Sequence, residues 1–402
     1  MNNIDHAPSL IIAAPGLVDG LLSTDEQLRA SALTVGLPRA ALQGLELDDP
    51  NTLILDWRTA VDEEVLLRSS EGDVRLPFGR LFERMLPGPV VREAAAAAGY
   101  QGPLVPQSVV VPTHHGHAHV WTRLRYSDVD AVFIRVTTDP LPFSGSADAA
   151  FLASVRSLNE THHLFLNNHQ CYYTRRFPGE ELEHKYLLDG GDIWTATLDV
   201  YNAVRRGDLD GFVPEYHDEF QTWDYENHLH EIEGPGDEKG YVSFIPLVGG
   251  GYTVKRKWFG VDAFRRGERM RRETETIDDF VAYVADRMGV VARPLPPFRR
   301  VRYDVNFESL ATGHVYGIFF DQSTIEAAPR HRMMQCELEY LRTRSVLQQN
   351  DSDVLREMET IAVWLEGVLA KSGFRTERGT YSKLSFLKQA VRDDPALGAV
   401  RA

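Results

Sequence analysis

The chain has 402 residues, of which 43% are hydrophobic, 25% charged and 10% aromatic, a composition typical of a globular protein with more than one core. This composition excludes a disordered, a collagen-like or a disulfide-dense chain. The net charge of -15 disfavours general binding to nucleic acid or to anionic membranes. Residues 251–302 reverse this balance, with 13 Lys and Arg against 7 Asp and Glu, and so indicate an anionic ligand.

Cysteine usage and hydropathy indicate the compartment. Cys171 and Cys336 are far apart and form no C-x-x-C pair, so neither a disulfide framework nor a zinc ribbon is indicated. The first nine residues lack the positive charge of a signal peptide, and Pro15 interrupts the apolar run that follows them. No stretch approaches the roughly 18 to 20 apolar residues of a membrane span. We therefore expect a cytoplasmic protein.

Residues 1–170 are predicted to form a mixed α/β domain of unknown role, because apolar runs alternate with helix-like stretches. The runs are 10–14, 52–55, 108–111 and 131–136. Ser23 and Glu26 form a capping box, which predicts the start of a helix, and a second helix is expected over 91–98. A hinge-like segment containing Pro178 follows, so we expect a domain boundary near residue 170.

Residues 171–402 contain short alternating segments, which are typical of an antiparallel barrel or sandwich. The segments are 181–188, 240–247, 252–259, 269–276, 299–307, 314–321 and 333–341. Three helices are predicted among and after them, at about 193–204, 277–288 and 351–369. The second domain is therefore expected to be an antiparallel sheet structure with covering helices.

Charged residues recur at alternate positions in these strands, and residues two apart in a strand share one face. Glu181, Glu183 and Lys185 thus lie on one side of the first strand. The same alternation occurs in 255–257, 271–275, 300–302 and 337–339. Such charges are common on the solvated face of ordinary strands, but their recurrence, with apolar residues at the opposite positions, favours the interior of a closed barrel. There, acidic pairs would bind a divalent metal and basic pairs would bind phosphate.

In their order along the chain, these segments resemble the CYTH domain, the superfamily of triphosphate tunnel metalloenzymes. The segment from Glu181 to Lys185 resembles its opening E-x-E-x-K signature. Later segments are similar to its middle lysine strand (253–255), R-E-x-E strand (272–275), basic strand (300–302), late E-x-E strand (336–339) and final Ser-Tyr-containing segment (379–383). The resemblance covers roughly residues 175–390.

The resemblance implies an α+β fold in which an eight-stranded antiparallel tunnel with covering helices occupies 171–402. It implies a metal-dependent enzyme that cleaves a phosphoanhydride bond of a tri- or diphosphorylated substrate. The metal, Mg²⁺ or Mn²⁺, would be held by Glu181, Glu183, Glu337 and Glu339. The phosphates would be held by Lys185, Lys255, Lys257, Arg272, Arg300 and Arg302. Glu183 or Glu339 would orient the attacking water, with Lys185 beside them as a further catalytic group.

One strand departs from the family pattern. Many members carry an R-x-R pair before the middle lysine, whereas 241–247 is apolar and contains Pro246. A proline cannot donate to a sheet ladder, so this strand is predicted to be an edge, bulged or shortened. The missing arginines favour a diphosphate, or an organic phosphate whose apolar part lies against Phe244, Trp223 or Trp258. They also leave open a weakened tunnel acting as a nucleotide or polyphosphate sensor or scaffold, and a cyclase or lyase that releases diphosphate.

The remaining features add no second chemistry. His114, His115, His117 and His119 have a spacing that can bind a transition metal, but without a visible fourth ligand an exposed or polar-core histidine strand is favoured. The arginines of 265–272 are interspersed with glutamate and lack interleaved aromatics, so no nucleic-acid partner is expected. The expected partner is a phosphorylated small molecule, with no membrane association, and a homodimer is left open.

Overall fold

The computed structural model describes residues 7–15, 29–84, 86–113, 116–162, 166, 174–215, 220–235, 238–259, 264–274 and 276–399. The chain divides into two compact units. Unit 1 comprises Met1–Thr174, Ser309–Gly313 and Thr343–Gln349, and unit 2 comprises Arg175–Glu308, His314–Arg342 and Asn350–Ala402. The predicted capping box at Ser23 and Glu26, and also His114, His115 and Cys171, lie outside the described residues.

Unit 1 consists of a curled antiparallel sheet, a short hairpin and two helices among its described residues. Its strands are β1 (Ser9–Ala13), β2 (Ala32–Gly36), β3 (Leu42–Gln43), β4 (Thr52–Asp56), β5 (Glu64–Ser69), β6 (Gly72–Pro77), β7 (Phe82–Glu83), β8 (Leu86–Pro87), β9 (Val105–Pro112), β10 (His117–Tyr126), β11 (Asp130–Arg135) and β12 (Leu141–Pro142). Its helices are α1 (Pro89–Ala97) and α2 (Ala149–Thr161). The sheet order is β3-β4-β11-β10-β9-β1-β2-β5-β6, with β12 beside β10.

This arrangement differs from the mixed α/β alternation predicted for the first 170 residues. The apolar runs pair directly as antiparallel neighbours, β1 with β2 and β9, and β10 with β9 and β11. Alternation along β1 separates two apolar cores: Leu10 and Ile12 face one cluster, whereas Ile11 and Ala13 face another that contains Phe151 of α2. Strands buried on both faces contain continuous apolar runs, which explains why the sequence indicated a mixed α/β domain.

Unit 2 contains a second sheet and four helices among its described residues. Its strands are β13 (Glu180–Asp189), β14 (Phe212–Pro214), β15 (Phe220–Ile232), β16 (Gly240–Pro246), β17 (Tyr252–Trp258), β18 (Arg265–Glu273), β19 (Ala292–Pro294), β20 (Phe298–Ser309), β21 (His314–Thr324), β22 (Arg332–Thr343) and β23 (Arg375–Gly379). The ends of β20 and β22 belong to unit 1. The helices are α3 (Ile193–Arg206), α4 (Phe280–Met288), α5 (Asp351–Lys371) and α6 (Lys383–Asp393).

Eight of these strands close into an antiparallel barrel in the order β20-β21-β22-β13-β18-β17-β16-β15. The long strand β15 closes it, because residues 220–227 pair with β20 and residues 228–232 pair with β16. A closed barrel of eight antiparallel strands was predicted from the sequence, and the α+β class with its covering helices is also present. Closure gives every strand one face toward the interior, so alternate residues on all eight strands converge there.

The outer face of the barrel is apolar and carries the helices. Leu182 of β13 and Leu338 of β22 belong to a core with α3 and α5, and Val254 of β17 packs in another core with α4. The helices begin where side chains cap them: Asp192, Asp279 and Ser382 each accept a hydrogen bond from a backbone N–H in the first turn of α3, α4 and α6. None of the helices in the described part of the chain combines the length and apolar character needed to cross a bilayer.

Helix α6 covers one end of the barrel. Its Leu384 and Leu387 pack in one cluster with Leu229 and Tyr241, which point inward from β15 and β16. The first residue of the helix, Lys383, therefore reaches into the interior, where it is buried. The opposite end, which we call the mouth, is where Glu339, Phe319 and Lys255 lie.

Candidate functional site

Strand register brings the charged residues of β13, β18 and β22 to one interior surface. Glu183 lies directly opposite Glu339, Lys185 lies opposite Glu337, and Glu181 lies opposite Arg266 on β18. Residues directly opposite each other in an antiparallel pair point to the same face. Because Glu183, Lys185 and Glu337 are each at most 4% exposed, this shared face is the interior of the barrel.

The centre of the interior holds a carboxylate shared by three cations. Asp321 of β21 is fully buried and accepts paired hydrogen bonds from Arg300, at 2.9 and 2.7 Å, and from Arg302, at 2.8 Å for both. Nζ of Lys383 adds a third contact at 2.7 Å. Burial raises the pKa of Asp321, but the three cations outweigh it and hold the pKa far below its ordinary range. Asp321 is therefore ionised and fixes the position of all three.

A second chain of ion pairs runs across β13, β22 and β18. Nζ of Lys185 lies 2.8 Å from Glu183 and 2.5 Å from Glu337, and Arg266 lies 2.5 Å from Glu183. Glu337 also contacts Lys383 at 2.6 Å. Burial would raise the pKa of Glu337, but the surrounding cations, with Lys185 first, lower it well below its ordinary value. Glu183 and Glu337, two of the four predicted metal ligands, are thus each held by more than one basic side chain.

The surroundings of Lys383 lower its pKa. Burial lowers its pKa, Arg300 lowers it further, and the neighbouring Asp321 and Glu337 only partly compensate, so that the pKa lies at about 8. Its amino group also donates to Gln335 at 3.0 Å. A lysine with this pKa stays cationic at neutral pH and can release a proton in mildly basic solution.

Carboxylates accumulate toward the mouth. Glu181 is paired with Lys257, and Glu268 lies 3.2 Å from Lys257 and 3.5 Å from Lys255. Burial raises the pKa of Glu268, yet the two lysines hold it at about 2. Glu339 has no ion pair with a basic side chain among the described residues, and burial together with the charges of Glu181 and Glu268 raises its pKa well above its ordinary value. Among the described carboxylates at the mouth, Glu339 is thus the one that forms no ion pair with a basic side chain.

The part of β15 and β16 that faces the middle of the barrel is neutral, with Tyr225, Asn227, Leu229, Tyr241, Ser243 and Ile245 pointing inward. On the same face of β15, Trp223 lies toward the mouth, and Glu231, which pairs with Lys388 of α6, lies toward the covered end. The hydroxyl of Ser243 donates to Asn227 at 2.7 Å, and the hydroxyl of Tyr225 accepts from Arg300 at 3.1 Å. No arginine pair points inward from these two strands, in agreement with the apolar run noted in the sequence.

Three expectations about this region need correction. β16 is not an edge strand, because it pairs with both β15 and β17, and Pro246 is its last residue. Phe244 points outward and stacks on Phe280 of α4, with ring centroids 4.3 Å apart. Trp258 also lies on the outer face, because it follows Lys257, which points inward. Of the three aromatic residues suggested as contacts for an organic group, Trp223 alone lies on the inward face of its strand, opposite Arg302.

Two cavities adjoin inside unit 2. The interior cavity has a volume of about 40 Å³. The cavity at the mouth has a volume of about 240 Å³. Glu181, Lys255, Arg302 and Glu339 line both, so the charged interior opens to the mouth through these residues. Most of the interior volume is filled by the ion-paired side chains themselves.

Of the ten predicted site residues, eight line these cavities, and a ninth, Glu183, is buried 2.8 Å from Lys185 without lining either. The tenth, Arg272, lies on the inward parity of β18 but is exposed near the end of the strand, two residues beyond Met270. Arg266, with 2% exposure, and Glu268 occupy the interior positions of that strand. Asp321 and Lys383 were also missed as site residues. Arg266 and Glu268 could have been found in the sequence as charged residues two positions apart in one strand. Lys383 belongs to a helix, so it shows no such alternating pattern.

A metal site is not preformed. Among the described residues, no group of three or more His, Cys, Asp and Glu side chains is arranged to hold a metal ion. The histidine strand of unit 1 does not supply one either: the ring of His119 lies 3.0 Å from Arg135 and 3.1 Å from Thr137. Burial lowers the pKa of His119, and Arg135 lowers it further. Glu339 is buried beside two other carboxylates, so a cation bound there would relieve unfavourable charge.

No family model matches the chain, and no curated protein matches it. Among solved structures, the chain is similar to the S. pombe Pct1 RNA triphosphatase in complex with the Spt5 CTD, at 11% identity over 60% of this chain and 91% of that one, with a TM-score of 0.21. Another structure of S. pombe Pct1 RNA triphosphatase gives 9% identity over 54% and 84%, with a TM-score of 0.20. The di-domain ARO/CYC BexL from the BE-7585A biosynthetic pathway covers 99% of both chains at 9% identity and a TM-score of 0.16. Likenesses at these TM-scores assign the chain to no family.

Proposed function

We propose that unit 2 is a metal-dependent phosphohydrolase of the triphosphate tunnel type, which cleaves a phosphoanhydride bond of a tri- or diphosphorylated substrate inside the barrel. The observation that carries the proposal is the convergence of Arg300, Arg302 and Lys383 on Asp321 within 2.9 Å. Arginine and lysine held this closely around one anion form a receptor for oxyanions, because their donors match phosphate oxygens as well as a carboxylate.

Substrate phosphates would enter from the mouth and exchange partners with the interior carboxylates. The interior cavity of about 40 Å³ is too small for a phosphate chain beside the present ion pairs. Binding therefore requires Arg300 and Arg302 to turn part of their donors from Asp321 and Glu337 toward phosphate oxygens. The proposal predicts that inorganic phosphate and sulfate compete with substrate, and that added salt weakens binding.

A divalent cation fits the carboxylates at the mouth. The interior cations are already matched by carboxylates, so a polyphosphate would bring negative charge that the side chains alone leave uncompensated. Glu183 and Glu337 are each held by two basic side chains or more, so Glu181, Glu268 and Glu339 would hold the cation. Lys257 and Lys255, which pair with Glu181 and Glu268, would then turn toward phosphate oxygens. Bound there, Mg²⁺ or Mn²⁺ would neutralise phosphate oxygens and lower the pKa of an attacking water.

Two glutamates were candidates for orienting that water, and their surroundings separate them. Glu183 is 2% exposed and is held by Lys185 and Arg266, so its oxygens are occupied. Glu339 borders both cavities and has a raised pKa, so it can accept a proton from a water molecule there. We assign water orientation to Glu339, and assign to Lys185 the role of holding Glu183 and Glu337 in place.

The second candidate function is a non-hydrolysing sensor or scaffold for nucleotide or polyphosphate. It is favoured by the neutral part of β15 and β16, where Asn227, Leu229 and Ser243 offer no charge to a second phosphate. A transition state in phosphoryl transfer requires cations around the transferred group, whereas binding alone requires fewer. Turnover separates the two functions, and release of diphosphate without orthophosphate would identify a cyclase or lyase.

The test is the release of phosphate and diphosphate from inorganic triphosphate, nucleoside triphosphates, thiamine triphosphate and prenyl diphosphates, with Mg²⁺ or Mn²⁺. Glu339→Gln and Glu181→Gln should each reduce kcat/KM by roughly 100-fold, as expected for loss of a group that stabilises the transition state. The matched control is Glu326→Gln, an exposed glutamate of the same unit, which should leave the activity unchanged. Metal-independent turnover, or full activity of Glu339→Gln, would refute the proposal, and binding without turnover would favour the sensor.

A further inference from the structure

We propose that Trp223, at the mouth of the barrel, is a stacking surface for a planar aromatic group of the substrate, so that the preferred ligand is an organic triphosphate with a ring system rather than inorganic triphosphate. The inference rests on the function proposed for the barrel and concerns the part of the ligand that stays outside the phosphate site. Trp223 would act in recognition, by contact with the substrate, and would take no part in bond cleavage.

The position of Trp223 carries the inference. It lies opposite Arg302 in the ladder between β15 and β20, so both side chains have the inward parity. Arg302 contacts Asp321 at 2.8 Å and Glu337 at 2.5 Å, and thus belongs to the phosphate receptor. A phosphate bound to Arg302 would therefore have Trp223 beside it, and a group attached to that phosphate would pass the indole on its way out.

The indole is held in place but not covered. Its Nε1 donates to Oδ2 of Asp304 at 3.1 Å, and Asp304 is 6% exposed, so the anchoring carboxylate lies inside the barrel. Trp223 itself is 49% exposed. A fixed and exposed aromatic face loses little conformational entropy on binding and has free energy to gain from covering its apolar area.

The other residues at the mouth suit a ring as well. Phe319 lines the mouth cavity, with its ring 4.4 Å from the guanidinium carbon of Arg302. Met270, 45% exposed, lines the same cavity on β18. An exposed methionine, and a phenylalanine ring beside an arginine, make favourable contacts with a flat, polarisable group. A purely inorganic ligand would leave these apolar surfaces unused.

Unit 2 offers a matched control. Trp194 on α3 is 42% exposed, similar to Trp223, but it packs against Phe220 and Tyr303, with centroids 5.9 and 5.0 Å away. Phe220 and Tyr303 have the parity opposite to the inward residues of β15 and β20, so Trp194 lies on the outer surface of the barrel. Replacing it changes surface tryptophan content without changing the mouth.

The test is calorimetric titration of the full chain, with Mg²⁺, using two ligands that resist hydrolysis: adenosine 5′-(β,γ-imido)triphosphate and the methyl ester of imidotriphosphate, which has no ring. Stacking on an aromatic side chain contributes about 1 to 3 kcal/mol per base. Trp223→Ala should therefore weaken binding of the adenosine ligand about 5- to 150-fold and change binding of the methyl ligand less than about twofold. Trp223→Phe should retain most of the affinity, and Trp194→Ala all of it.

The outcomes separate this inference from the proposed function. Equal affinity of the wild-type protein for the two ligands, or an unchanged adenosine affinity in Trp223→Ala, would overturn the stacking role while leaving the phosphate site intact. An equal loss for both ligands would show that Trp223 supports the structure of the mouth, and would also overturn it. If neither ligand binds to the wild-type protein, the phosphate site itself fails, and the stacking inference fails with it.

Discussion

Lys383 places its Nζ 2.7 Å from Oδ2 of Asp321, which ties the first turn of α6 to the centre of the barrel. The same amino group lies 2.6 Å from Glu337, so one lysine connects the helix to two strands, β21 and β22. Helix α6 covers that end of the barrel, and its N-terminal backbone N–H groups add positive potential there. The covering of this end of the barrel and the charge of the proposed phosphate receptor thus involve the same side chain.

The first prediction concerns the shared carboxylate. Asp321→Asn would leave Arg300, Arg302 and Lys383 close together without the negative charge that balances them. Removing one partner of a buried ion pair costs about 3 to 5 kcal/mol, and we expect a loss of this size in the free energy of unfolding of unit 2. Urea unfolding followed by circular dichroism at pH 7 measures it.

A ligand distinguishes this effect from a simple folding defect. In Asp321→Asn the three cations have lost their internal competitor, so inorganic phosphate should restore more stability to the variant than to the wild-type protein. Because the pKa of Asp321 is lowered in the folded state, its contribution is present above the ordinary aspartate pKa of about 4 and is lost as the pH falls below it. A variant as stable as the wild-type protein at pH 7 would contradict the shared-carboxylate interpretation.

The interior face of β13 and β22 was predictable because its signal is local. A strand alternates its side chains with a period of two, so Glu181, Glu183 and Lys185, and likewise Glu337 and Glu339, had to share faces wherever the strands lay. When the barrel closes, the apolar residues at the alternate positions pack against the helices, as Leu338 does. The sequence thus determined these faces without any knowledge of pairing.

The position of Arg272 could not be predicted in this way. The sequence placed a strand at 269–276 and selected Arg272, whereas β18 spans Arg265–Glu273. Which part of the strand lies deep in the barrel depends on its register with β13, where Glu181 pairs with Arg266. The register between strands whose paired residues are 85 positions apart is a property of the tertiary structure. The same holds for Lys383, whose role depends on where α6 packs.

The second prediction compares these two arginines. Arg266→Met removes a buried partner of Glu183 and should lower the free energy of unfolding by about 3 kcal/mol. Arg272→Met, at an exposed position, should change it by less than about 0.5 kcal/mol. Urea midpoints and phosphate affinities of the two variants measure the difference. Similar losses in both would mean that the register between β13 and β18 is wrong.

The third prediction concerns Glu339 and divalent metal. Burial and the charges of Glu181 and Glu268 raise its pKa, so ionised Glu339 destabilises the metal-free protein at neutral pH. Glu339→Gln should therefore be more stable than the wild-type protein in EDTA. Mg²⁺ at a hundred times its dissociation constant should stabilise the wild-type protein by about 2.7 kcal/mol and the variant by less. Equal stabilisation by Mg²⁺, measured as the shift in urea midpoint, would place the metal elsewhere.

The fourth prediction concerns Asp304, which anchors the indole of Trp223 from inside the barrel. Burial raises the pKa of Asp304 to about 6, and the charge of Arg302 only partly opposes this. The folded state therefore holds this proton more tightly than the unfolded state, so this group's contribution to stability falls as the pH rises from about 4 to 6 and stays at its minimum above that range. Asp304→Asn keeps an oxygen for the indole N–H and removes the charge.

We expect Asp304→Asn to be more stable than the wild-type protein at pH 7 by up to about 3 kcal/mol, the free-energy equivalent of the raised pKa, with the difference disappearing near pH 4. Thermal unfolding of both proteins between pH 4 and 8 measures it. The matched control is Asp224→Asn, since Asp224 is exposed and pairs with Arg299 on the outer face of the same two strands. If the stability difference does not vary with pH, Asp304 is ionised throughout and the burial of its carboxylate is not what the structure indicates.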